Sequence, residues 1–373
     1  MRILLLGEYS NVHSSLAQGL RALGHSVTVA SDGDGWKDYP RDVNLKRPSL
    51  GVGGTSLYLW RLLCSFPTFR GFDIVQLIGP VFLDLRAERL WPLYRFLRKH
   101  NRRIVMGAYG MDYYYIKGCL TPGVFRYSDF CIGGEERHTS DTALFRREWW
   151  FGAKKELNQR IARDADAIVA GLYEYWASYH SAASELCDKL SYIPFPVRLS
   201  SESKVKPRKM ADPVRFLIGI QSHRNVYKGT DIMLRALRRV EAECPAECRV
   251  TEVHSVPFAQ YVKLMENQEV ILDQLYSYTP AMNALEAMAR GLVAVGGGEP
   301  EMYELMNEPE LRPVLNVLPD EEDVHRVLLH LVKERDALLP VLQRQTRDFL
   351  VRHHDYIKVA RAYEALYRRI LSR

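Results

Sequence analysis

Short apolar runs alternate with amphipathic stretches along this chain, the pattern of parallel strands buried on both faces and joined by helices. Residues 3–6 (Ile-Leu-Leu-Leu) form the first run, and residues 14–23 follow with Leu16, Leu20 and Leu23 on one helical face. Gly24 suits the left-handed position past a helix end, and a second run at 26–30 completes a strand–helix–strand opening. Further runs at 72–77, 104–106 and 167–170 read as strands of the same sheet. The pattern ends at Tyr192-Ile193-Pro194-Phe195-Pro196, and residues 200–212 (SSESKVKPRKMAD) are polar and basic, as a linker would be. It restarts with strands predicted at 216–220, 249–253, 270–272 and 292–295 and helices at 230–240, 321–333, 338–351 and 356–371. Residues 35–54 read as a polar, loop-like flap, and 131–151, with Gly133-Gly134 and mixed charges, follow neither period.

Composition changes this picture little. At 373 residues two α/β domains are expected, since single cores rarely grow so large. No apolar run is long enough for a transmembrane helix, and the N-terminus reads as a first strand rather than a signal peptide. Six scattered cysteines, of which only Cys244 and Cys248 lie close together, suit free thiols in a reducing cytosol and not a metal site. The first turn has one glycine rather than the G-x-G-x-x-G of dinucleotide folds, which counts against an NAD enzyme. The net charge of +6 is uneven: residues 86–103 carry seven Arg or Lys against Glu88, interleaved with Leu90, Trp91, Leu93, Tyr94, Phe96 and Leu97. That segment is expected to form a basic amphipathic helix able to contact an anionic membrane, while no signature of nucleic-acid binding is present.

The chemistry concentrates in the second half. Residues 270–304 read as strand, loop, helix, strand, loop, and in an open parallel sheet such loops gather outside the carboxyl ends of the strands, where ligands bind. Backbone amides at helix starts and glycine turns suit a diphosphate, and Glu286, one turn into its helix, is placed to accept hydrogen bonds from hydroxyls. The loop 221–229 adds Arg224, a planar fork for phosphate, and Lys228, a point charge four residues on. Together they would neutralise a leaving diphosphate. A phosphate cradle beside a carboxylate that reads a diol describes a nucleotide-sugar site.

The order Arg224-x-x-x-Lys228-Gly229, then Leu285-Glu286-Ala287-Met288-Ala289-x-Gly291, then a glycine cluster, resembles the GT-B glycosyltransferases of family four. Leu23-Gly24-His25-x-Val27 is similar to the opening of that family's first domain. The resemblance implies an α/β, GT-B architecture, two Rossmann-like domains facing across a cleft, with boundaries here at 1–198 and 199–352 and a last helix, 353–373, crossing back. It implies metal-independent transfer of a hexose-type sugar from a UDP- or GDP-linked donor, with retention and without another cofactor. The acceptor would be a glycan or lipid-linked molecule, in surface polysaccharide biosynthesis at the inner face of the membrane. By position, Arg224 and Lys228 would hold the diphosphate, Glu286 the ribose, and the amides of Ala281, Met282 and Asn283 the phosphates.

The sequence departs from the family at several points. The first of the family's paired glutamates is Tyr278 here, Pro280 stands in its glycine-rich turn, and Tyr109-Gly110-Met111-Asp112 replaces its His-Gly-x-Asp. Tyr109 and Asp112 are therefore expected catalytic positions with altered chemistry. Asp273, Gly298 and Glu299 are expected to help at the donor, Asn11 and His13 to meet the acceptor, and Tyr113-Tyr114-Tyr115 to offer stacking surfaces. A non-catalytic sugar-nucleotide or glycan binding protein is the alternative those departures leave open, and another GT-B enzyme such as an epimerase a third.

Overall fold

The computed structural model describes residues 1–199, 212–221, 224–254, 256 and 258–373. All but the last residue of the expected linker at 200–212 lies outside the described residues. The chain folds as two compact units: Met1–Val124, Leu144–Pro196 and Tyr356–Arg373 form unit 1, and Phe125–Ala143 with Val197–Asp355 form unit 2.

Unit 1 opens with β1 (Arg2–Leu6), α1 (Val12–Ala22), β2 (Ser26–Ser31), β3 (Val43–Asn44), α2 (Val52–Ser65), β4 (Ile74–Leu77), α3 (Ala87–His100), β5 (Arg103–Ala108) and α4 (Tyr113–Leu120). Strands β6 (Cys131–Ile132) and β7 (Glu135–Glu136) then form a hairpin within unit 2. Helix α5 (Ser140–Trp149) leads back to α6 (Ala153–Asp164), β8 (Ala167–Ala170), α7 (Tyr173–Ala182) and β9 (Leu190–Tyr192). The seven-stranded sheet has the order β3-β2-β1-β4-β5-β8-β9 and is parallel throughout. Its central strands are buried on both faces, so β1, β4, β5 and β8 are largely Val, Ile, Leu and Ala, with Gln76 the buried polar exception in β4. The polar expectation for residues 35–54 is corrected at its end: α2 begins at Val52, and Tyr58 and Leu62 bury its inner face in the unit 1 core.

Unit 2 continues with β10 (Val214–Ile220), α8 (Asn225–Lys228), α9 (Thr230–Glu243), β11 (Cys248–His254), α10 (Phe258–Met265), β12 (Val270–Leu272), α11 (Met282–Met288), β13 (Val293–Gly296), α12 (Pro300–Leu305), β14 (Leu315–Asn316), α13 (Glu321–Lys333) and α14 (Arg335–Phe349). The order β11-β10-β12-β13-β14 is parallel throughout and reverses direction between β10 and β12. In such sheets the ligand crevice opens at this reversal, beyond the carboxyl ends of the two strands. The last helix, α15 (Tyr356–Leu371), belongs to unit 1. Among the described residues no helix is long and apolar enough to cross a membrane, and all six cysteines are free thiols.

Candidate functional site

The loops after β10 and β12 meet at the reversal point of unit 2. The amide of Leu275 donates to the Lys228 carbonyl at 2.9 Å, which ties the end of α8 to the β12 exit. Lys228 ends α8 and Arg224 stands exposed just before it; Ser222 and His223 lie outside the described residues. Asp273, the first residue past β12, accepts from the Asn283 side chain at 2.9 Å. Burial raises the Asp273 pKa, opposed by Asn283, the Lys228 ammonium and the Ala281 amide. Beyond β13 the chain turns back against this loop: a Cβ on Gly297 would stand 2.1 Å from the Ser277 carbonyl oxygen, so only glycine permits the approach. Asn316 accepts from the Gly298 amide at 2.9 Å and fixes the same turn. The structure thus brings Lys228, Asp273, Ala281, Asn283 and Gly298 together on three adjoining loops.

Glu286 sits on the next turn of α11, nearly buried, and Arg290 donates to its carboxylate at 2.6 Å. This i,i+4 partner orients the carboxylate and balances its charge. Sequence reasoning passed over Arg290, although its spacing from Glu286 was legible.

The larger surprise lies at Tyr278 and Glu299. Residues 125–143, which include the first part of the irregular stretch 131–151, belong to unit 2 and form a hairpin of two-residue strands with Gly133 and Gly134 at φ +60° and +89° between β6 and β7. Gly-Gly between short strands is the hairpin signal that could have found it. Arg126 donates to Glu299 and to Glu301, each at 2.5 Å, and its amide donates to the Tyr278 hydroxyl at 2.8 Å. Its guanidinium also lies 5.3 Å from the Tyr278 ring centre. The Tyr127 hydroxyl donates to Glu299, as does Asn316 at 2.9 Å. Further along, the Arg137 guanidinium covers Tyr276 and donates to the carbonyls of Val226 and Tyr227, while Tyr227 donates to Asp129 at 2.7 Å. Glu299 is buried with both carboxylate oxygens engaged, and Tyr278 is 1% exposed. Both therefore hold the hairpin in place.

The expected positions of unit 1 are also engaged with neighbouring residues. The Tyr109 hydroxyl accepts from Gln76 at 2.6 Å and shares a hydrogen with Tyr363 at 2.5 Å, and Tyr367 donates to Gln76 at 2.7 Å. The phenol ties α15 to the sheet of unit 1, and burial raises its pKa well above the ordinary value. Asp112 caps α4, accepting from the Tyr115 amide at 2.8 Å and from Tyr179 at 2.5 Å. Burial pushes its pKa up to about 6, against those hydrogen bonds. Tyr113, Tyr114 and Tyr115 are buried against Trp150, Tyr179 and Tyr175, so none presents a stacking face to a ligand.

Asn11 precedes α1 in the left-handed region at φ +72°. His13 is fully buried, bonded through Nδ1 to the Gly7 carbonyl at 2.8 Å, and burial lowers its pKa to about 4, so the ring is neutral at pH 7. Beside it Glu8, which sequence reasoning passed over, accepts from the amides of His13 and Ser14 at 3.1 and 2.8 Å. A cavity of about 210 Å³ adjoins it, lined also by Tyr9, Asp32, Asp34, Tyr58 and Asp84 at the carboxyl ends of β1, β2 and β4.

No protein-family model matches the sequence, and no curated protein matches it. Solved structures do. The sucrose-phosphate synthase of Thermosynechococcus elongatus is 15% identical, with a TM-score of 0.63 over 100% of this chain and 99% of that one. Anabaena HepE, solved with UDP and glucose, is 13% identical with a TM-score of 0.60 over 98% of each chain. WaaG, a glycosyltransferase involved in lipopolysaccharide biosynthesis, is 12% identical with a TM-score of 0.56 over 97% of this chain and 98% of that one. The fold is GT-B. Identity this low establishes the GT-B fold and leaves donor and acceptor to be argued from the chain's own residues.

Proposed function

We propose that this GT-B protein is a glycosyltransferase that moves a hexose from a UDP- or GDP-linked donor to a glycan or lipid-linked acceptor, with retention, in surface polysaccharide biosynthesis. The observation that carries the reading is the junction at the reversal point of unit 2, where Lys228, Asp273, Asn283 and the Gly297–Gly298 turn converge beside Glu286. Lys228 and Arg224 supply positive charge for the diphosphate leaving group, and the amides of residues 281–283 and of Gly298 supply donors. Glu286, oriented by Arg290, accepts from the ribose hydroxyls. No metal is needed where two cations stand by the phosphates. HepE was solved with UDP and glucose, which supports a uridine donor. Unit 1 supplies the acceptor side through the β1 exit loop, with Asn11 in contact and His13 holding that loop from beneath. Contact with the inner face of an anionic membrane, through residues 86–103, would suit a lipid-linked acceptor.

A second reading, a sugar-nucleotide or glycan binding protein without transfer, is favoured by one observation. Tyr278 stands where the family carries a glutamate, and the 125–143 hairpin seals it from the donor. The test is binding of UDP, GDP and their glucose and mannose conjugates by calorimetry, then single-turnover transfer or hydrolysis. Lys228→Ala and Glu286→Ala should each weaken nucleotide binding by about tenfold or more, the worth of one charge-assisted hydrogen bond. Full binding and turnover in both variants would refute the site, and binding without turnover would establish the second reading.

A further inference from the structure

Helix α2 turns Tyr58 and Leu62 into the core of unit 1 and leaves its opposite face bare. Along that face Leu57 is 39% exposed, Trp60 61% and Leu63 65%, and just ahead of them Leu50 and Val52 are 91% and 86% exposed. Residues 57, 60 and 63–64 share one side of a helix, so these are a stripe and not scattered side chains. A soluble surface does not ordinarily carry such a stripe without a partner.

The charge around it identifies the partner. Residues 46–71 contain Lys46, Arg47, Arg61 and Arg70 and no Asp or Glu. The turn that follows α2 packs on α3, with Phe66 and Phe96 ring centres 4.7 Å apart and Arg70 over the Phe96 ring at 5.0 Å. Helix α3 buries Leu90, Tyr94 and Leu97 in the core, so what it offers outward is mainly charge. Its outward residues include Arg89, Arg95 and Lys99. An apolar stripe carrying Trp60, with Lys46 and Arg47 paired to Asp38 and Asp84 and with the exposed Arg89, Arg95 and Lys99 outnumbering the exposed Glu88 on α3, matches the boundary between headgroups and acyl chains of an anionic bilayer.

We infer that unit 1 docks on anionic membrane through α2, with Leu57, Trp60 and Leu63 entering the acyl boundary and the α3 cations held at the phosphates. The inference shares the membrane contact of the proposed function but needs none of its donor chemistry, so vesicle binding without nucleotide tests it separately. The full chain is floated with vesicles of phosphatidylcholine alone and of phosphatidylcholine with about 30 mol% phosphatidylglycerol, near 50 mM and 500 mM salt. Binding should require the anionic lipid, fall severalfold at high salt, and shift tryptophan emission to the blue, a shift that Trp60→Phe should largely remove. Trp60→Ser with Leu63→Ser should weaken binding by at least about tenfold while leaving the circular dichroism and melting temperature unchanged. Arg95→Gln with Lys99→Gln should weaken it less and flatten the salt dependence. Equal binding to both vesicles, or an undiminished serine variant, would overturn the inference. So would a stable dimer that the serine substitutions convert to monomer, because a second copy would then cover the stripe.

Discussion

Replacing Arg126 with alanine removes the only arginine that binds the buried carboxylate of Glu299 among the described residues, and tests the hairpin directly. In the native chain Glu299 has a 4% exposed side chain and takes hydrogen bonds from Arg126, Tyr127 and Asn316. Arg126→Ala keeps the amide bond to Tyr278 but takes away the contacts to Glu299 and Glu301 and the cation over the Tyr278 ring. Stripping one partner from a fully buried ion pair costs about 3–5 kcal/mol. Arg126 is 54% exposed, and water screens that pairing, so about 2 kcal/mol is expected. For a unit of this size that is a fall of about 4–8 °C in melting temperature. The assay is urea unfolding of Arg126→Ala, Glu299→Gln and the double variant, followed by fluorescence. Glu299→Gln should cost about 1 kcal/mol, because Arg126 keeps Glu301, and the double variant should be less destabilised than the sum. Losses below about 0.5 kcal/mol for Arg126→Ala, or strict additivity, would show that the hairpin is not held by this clamp.

Burial raises the pKa of Glu8 to about 8, against the amides of Ser14 and His13 that favour the carboxylate and with the nearby charge of Asp34. A carboxyl raised on folding stabilises the fold below its unfolded value and loses that contribution as pH rises through 8, so the native chain should weaken by about 3–5 kcal/mol between pH 4.5 and 9. Glu8→Gln should flatten that part of the profile in urea unfolding at pH 5, 7 and 9; an unchanged slope would remove Glu8 as its source. Tyr109→Phe should cost about 1–2 kcal/mol of stability by leaving Gln76 and Tyr363 short of a partner. Sugar transfer should stay within about twofold of native if the phenol only ties α15 to the sheet, and a loss of about a hundredfold would restore it to the chemistry.

The sheets were legible because parallel strands are apolar on both faces: residues 167–170 and 270–272 were read with the bounds the structure has, and α15 was read whole from its helical period. The loops at the reversal point of unit 2 were legible too, since spacing places Lys228 and Glu286 on loops and helices at one sheet end. The hairpin at 125–143 was not. Its stability comes from contacts with residues about 90 to 175 positions away, among them Val226 and Glu301, and no local period encodes those. The buried networks of Tyr109 and Asp112 were not legible for a related reason: a polar group at a strand end satisfies a buried network as readily as a ligand, and their partners Tyr363 and Tyr179 lie far along the chain. Helix α2 was hidden by its glycines, Gly51, Gly53 and Gly54, which mark a loop by propensity while its burial of Tyr58 makes a helix.

Because Phe125–Ala143 interrupts unit 1 in sequence yet packs with unit 2, neither unit is a continuous piece of the gene product. During synthesis the hairpin emerges well before Tyr278 and Glu299 exist, and the sheet of unit 1 waits for α15, which follows all of unit 2. Expression of residues 197–355 alone would leave the faces of Tyr276, Tyr278 and Glu299 uncovered, so a fragment meant for ligand screening must carry the 125–143 segment, grafted or added in trans.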